Sequence, residues 1–85
     1  MGELNKALKY QKKSLDIRKS IFDDNHPDLA QSYNNISLIY NSMNKYEEAR
    51  NYLLKSIEIF DNLSYVHPNY KMAKENLKIL EKKLK

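Results

Sequence analysis

A shift of 42 positions lays Leu4, Ala7, Tyr10, Lys13, Ser14, Leu15, Asp16 and Ile17 onto Tyr46, Ala49, Tyr52, Lys55, Ser56, Ile57, Glu58 and Ile59. Beyond Phe22 the offset becomes 41: His26-Pro27-Asp28 meets His67-Pro68-Asn69, and Asn35, Ile36, Leu38 and Ile39 meet Asn76, Leu77, Ile79 and Leu80. The 85 residues therefore hold two copies of one unit, cut out of phase. A unit of that length cannot bury its apolar side alone, and stacked neighbours must cover it.

Within each unit the apolar residues keep a helical rhythm. Leu29, Tyr33, Ile36, Tyr40 and Met43 step by four and three along one face, as do Tyr46, Ala49, Leu53, Ser56, Phe60 and Leu63, with Leu54 and Ile57 widening the second stripe. Leu4, Leu8, Leu15 and Phe22 form a stripe before them, and Tyr70, Ala73, Leu77, Leu80 and Leu84 one after. Only Asn44-Lys45 separates the middle two patterns, which forces an antiparallel hairpin. Pro27 and Pro68 suit a first helical turn, where a missing N–H costs nothing, and Asp28 and Asn69 beside them suit a helix start. The expectation is an all-α array in one domain over residues 1–85, with helices at about 3–22, 28–43, 46–62 and 69–84.

Composition closes the other routes. One Gly and two Pro supply too few turns for a sandwich or barrel, and the absence of Cys removes disulfides and thiolate zinc sites. Between Asp28 and Lys45 the longest uncharged stretch is interrupted by Gln31, Asn34, Asn35 and Asn41, so no segment suits a bilayer. Met1-Gly2-Glu3-Leu4-Asn5-Lys6 has no apolar leader and no acylation signal, and a soluble, cytoplasmic chain without membrane insertion is expected. A net charge of +4 permits an acidic partner without requiring one.

The order helix, short turn, helix, with small Ser37, Ala49 and Ser56 where helices must approach, resembles a tetratricopeptide repeat. Ala7-Leu8, Leu15-Asp16-Ile17-Arg18, Asp24-Asn25-His26-Pro27-Asp28-Leu29-Ala30, Ser32-Tyr33-Asn34-Asn35-Ile36, Tyr40 and Asn44-Lys45-Tyr46-Glu47-Glu48-Ala49 are similar to the 42-residue variety of kinesin light chains and nephrocystin-3-like proteins. The likeness covers essentially the whole chain. It departs at Gln11, where the family usually has an aromatic residue. In the last helix Lys78 and Glu81 stand where Ser37 and Tyr40 stand earlier, which suits a terminal helix that faces water rather than another hairpin.

No catalytic pattern emerges, and an enzyme is not expected. Asp23-Asp24 and Glu47-Glu48 are paired only in sequence, since neighbours on a helix diverge by about 100°. There is no phosphate loop or nucleophile elbow. His26 and His67 precede the two prolines at equivalent positions and are read as helix-capping residues, with neither a metal nor a cofactor implied.

The resemblance implies a protein-interaction scaffold whose first helix in each hairpin lines a concave groove, where asparagines at the places of Asn35 and Asn76 grip the main chain of a bound peptide. The corresponding faces carry Gln31, Asn35, Leu38 and Ser42, and Met72, Asn76, Ile79 and Lys83. An amide both donates and accepts, as a peptide bond requires, and Leu38 and Ile79 would seat an apolar side chain. The competing explanation is that Asn is abundant throughout this chain. The alternative function is anion binding through Lys71, Lys74, Lys78, Lys82 and Lys85, a basic stripe along the last helix that suits nucleic acid, an acidic protein or an anionic membrane surface. The stripe has no Arg and no aromatic beyond Tyr70, so nucleic acid is the less expected partner. Finally, the first helix resembles the second helix of a hairpin without its mate, and Leu4, Ala7 and Leu8 are expected to lack cover that a homodimer through this helix would provide.

Overall fold

A computed structural model describes residues 2–85; Met1, the first residue of the segment inspected for a leader, lies outside them. Four helices follow in order: α1 (Gly2–Ile21), α2 (Pro27–Ser42), α3 (Tyr46–Asp61) and α4 (Tyr70–Lys83). Each packs on the next, giving an all-α open array of 36 × 28 × 17 Å.

Local chemistry sets the breaks. Pro27 occupies the first turn of α2, and His26 before it is extended, its Nδ1 accepting from the Asp28 N–H at 3.1 Å while its ring stacks on Phe22. One side chain thereby caps a helix and covers its end. The α2–α3 turn has Asn44 at φ 62, a left-handed conformation that Asn tolerates better than most residues. The N–H of Lys45 reaches back to the Tyr40 carbonyl at 2.9 Å and that of Asn44 to Asn41 at 3.0 Å, closing the helix end without a glycine. Glu47 and Glu48 then sit in the first turn of α3, where the helix dipole favours them.

The second copy starts differently. Pro68 and Asn69 lie in a turn ahead of α4 rather than inside it, and the Asn69 side chain makes no cap bond. His67 repeats the job of His26, with Nδ1 accepting from the Asn69 N–H at 3.1 Å and its ring stacked on Phe60.

The core runs through the array: Leu15 from α1, Leu29, Ile36 and Tyr40 from α2, Leu53, Ile57 and Phe60 from α3, Ala73 and Leu80 from α4. Two residues of the expected stripes, Leu54 and Leu84, are instead exposed, whereas Ile59 is buried. α3 is packed on both sides, by α2 and by α4, so its buried arc extends beyond one stripe, and Leu84 is the residue that caps the end of α4. Small residues mark the closest approach. The Ser37 hydroxyl donates to the Ala49 carbonyl at 2.7 Å and the Ser56 hydroxyl to the Ala30 carbonyl at 2.8 Å, so each serine satisfies itself on the facing backbone. Arg18 ties α1 to α2 by donating to the Ser32 hydroxyl at 2.7 Å.

Candidate interaction groove

α2 and α4 lie side by side and parallel. Near their starts, the Asn69 amide donates to Gln31 Oε1 at 2.7 Å; near their ends, Lys83 Nζ donates to Asn41 Oδ1 at 3.4 Å and stands 5.0 Å over the Tyr46 ring. Between these two clamps is a cleft of about 70 Å³ lined by Ser37, Leu38 and Asn41 of α2 and Asn76, Ile79 and Leu80 of α4. It has room for one small side chain and is far below the size of a small-molecule pocket. Leu38 and Ile79 are each about half exposed in it, beside the amides of Asn41 and Asn76.

Of the residues singled out in the sequence, Leu38, Asn76 and Ile79 meet in the cleft. Gln31 is engaged on both sides, since its Nε2 also donates to Asn35 Oδ1 at 3.4 Å. Asn35 is half-buried and does not line the cleft, its carbonyl oxygen held by Gln31. Met72 and Ser42 are exposed outside the lining. Sequence reasoning missed Asn41, whose only signal is its place three residues beyond Leu38 on the same helical face. It also missed Asn34, which is buried with its Oδ1 unpartnered among the described residues.

Lys71, Lys74, Lys78 and Lys82 are exposed on the side of α4 away from the buried Ala73 and Leu80, and Lys85 is exposed beyond its end. Lys74 stands 4.5 Å over the Tyr70 ring, and hydrogen bonding to that side chain raises its pKa above the usual 10.5. Tyr70 itself donates to Asp61. Among the described residues no group of three or more His, Cys, Asp or Glu gathers as metal ligands, and no helix is long and apolar enough to cross a membrane.

The family model for the tetratricopeptide repeat matches residues 1–62. The chain belongs to the tetratricopeptide-repeat family. Clustered mitochondria protein homologs of Aspergillus niger and Emericella nidulans are each 31% identical to it over 62 residues, which is 73% of this chain and 5% of theirs. The chain thus spans a small fraction of the curated relatives it matches. No solved structure matches it significantly. Tetratricopeptide repeats are generally protein–protein interaction modules, and the family is typically a non-enzymatic scaffold. In this chain α2 and α3 form an antiparallel hairpin, flanked by α1 on α2 and by α4 on α3.

Proposed function

We propose that the groove along α2 and α4 binds an extended peptide segment of a partner protein. The observation that carries this reading is that Leu38 and Ile79 lie about half exposed in one cleft with the Asn41 and Asn76 amides. An apolar seat fixes one ligand side chain while the amides meet the main chain on either side of it. Asn35 joins from the outer edge, because Gln31 occupies its oxygen and orients its amide N–H groups. Peptides selected on the protein from a random displayed library provide the probe. Ile79→Asp is expected to abolish their binding and Asn76→Ala to weaken it by about 1–3 kcal/mol, with melting temperature unchanged. Binding that survives Ile79→Asp contradicts the reading.

A second reading rests on the lysine stripe, of which Lys71, Lys74, Lys78 and Lys82 share one exposed face of α4. Anion binding there weakens steeply between about 50 and 200 mM salt, whereas groove binding changes little. Lys71→Glu with Lys78→Glu separates the two, since it removes only the former.

A further inference from the structure

We infer that the segment bound along α2 and α4 carries a valine-sized aliphatic residue where it crosses the cleft, and that the cleft refuses an aromatic one. The inference rests on the peptide-binding reading above and adds the side chain that the groove selects.

Size sets the limit. The cleft holds about 70 Å³, whereas a cavity of about 150 Å³ is what accepts a benzene ring. A phenylalanine or tryptophan ring therefore has to push the walls apart, while a three-carbon side chain fills the space. Those walls are Leu38 of α2 and Ile79 of α4, 45% and 52% exposed. Their surface favours a hydrocarbon occupant, and the floor agrees: Leu80 is buried, and the Ser37 hydroxyl already donates to the Ala49 carbonyl. A β-branched residue also favours the extended backbone that the Asn41 and Asn76 amides have to meet.

The walls are held at their spacing. α3 packs behind both helices. Ser37 and Ser56 bond α2 to it at 2.7 and 2.8 Å, and the Tyr70 ring of α4 meets Phe60 edge-on with 6.2 Å between centroids. Across the front, the Asn69–Gln31 and Lys83–Asn41 bonds tie the two helices together on either side of the cleft. Widening it for a ring disturbs these contacts, which is the penalty that overpacking imposes on a filled space.

The test starts from a peptide selected on the protein from a random displayed library, resynthesised with Ala, Val, Phe or Trp at its most sensitive apolar position. Val is expected to bind best, with Phe and Trp weaker by about tenfold or more and Ala weaker by about five- to tenfold. Ile79→Ala shortens one wall and is expected to reverse the order of Val and Phe without lowering the melting temperature. Leu38→Ala, on the opposite wall, is expected to do the same. A ring preferred over Val by the parent protein overturns the inference, as does a Val preference that both variants keep. The peptide-binding reading fails differently, through binding that survives Ile79→Asp, so a protein that needs Ile79 yet prefers a ring refutes the size limit alone.

Discussion

Where α2 has Ala30, Ser37 and Tyr40, α4 has Lys71, Lys78 and Glu81, yet both helices keep small or apolar residues at Ser32 and Ile39 and at their counterparts Ala73 and Leu80. In α2 the first set packs on the following helix, with Ala30 fully buried and Ser37 bonded to the backbone of α3. In α4 the equivalent positions face water. The two copies therefore share the face that rests on the preceding helix and differ in the face that would receive the next one. Lys71 and Lys78 replace the small residues with which α2 approaches α3, while the groove face of α4 keeps Asn76 and Ile79, so the same helix carries a charged face and completes the cleft.

Copying α4 into α2 is the most damaging way to break that contrast. Ser37→Lys places an ammonium where no water or counter-charge reaches, and a loss of about 3–5 kcal/mol is expected in urea unfolding. The reverse change, Lys78→Ser, is expected to stay within about 0.5 kcal/mol of the parent. Comparable losses from both would show that the lysine face is packed. Next in size, Leu80→Ala removes a buried side chain on the shared face and should cost about 2–5 kcal/mol, against little for Leu84→Ala at the exposed end. Ser56→Ala leaves the Ala30 carbonyl without its donor inside the α2–α3 contact and should cost about 1 kcal/mol in the same assay.

The smallest effect is in alkaline titration. Lys12 stands over Tyr40 of α2 and Lys74 over Tyr70 of α4, and hydrogen bonding to those tyrosines raises both pKa values above 10.5. A raised lysine contributes stability below its unfolded value and loses it as pH climbs through the folded one. Melting temperature is thus expected to fall slightly above pH 10.5, with Lys12→Met reducing the slope more than Lys74→Met, because Lys74 is fully exposed. A slope unchanged in Lys12→Met would remove this contact from the account.

The repeat and its four stripes were legible because helical spacing and the offset near 42 are properties of the chain itself. The exposed, charged face of α4 was legible for the same reason, since Lys78 and Glu81 break a pattern that α2 defines. The burial of Ile59 and Asn34 was not, because both lie off the single stripe read along each helix. The cleft was half legible. Leu38, Asn76 and Ile79 follow from the offset, whereas the Gln31–Asn69 and Asn41–Lys83 bonds at its two ends depend on how closely α2 and α4 approach.

The groove itself is tested most directly by nuclear magnetic resonance titration of the isotope-labelled protein with a peptide selected on it. Shifts concentrated at Leu38, Asn41, Asn76 and Ile79, saturating together and insensitive to salt, are the predicted result. Shifts confined to Lys71, Lys74, Lys78 and Lys82 that fade as salt is added would contradict it.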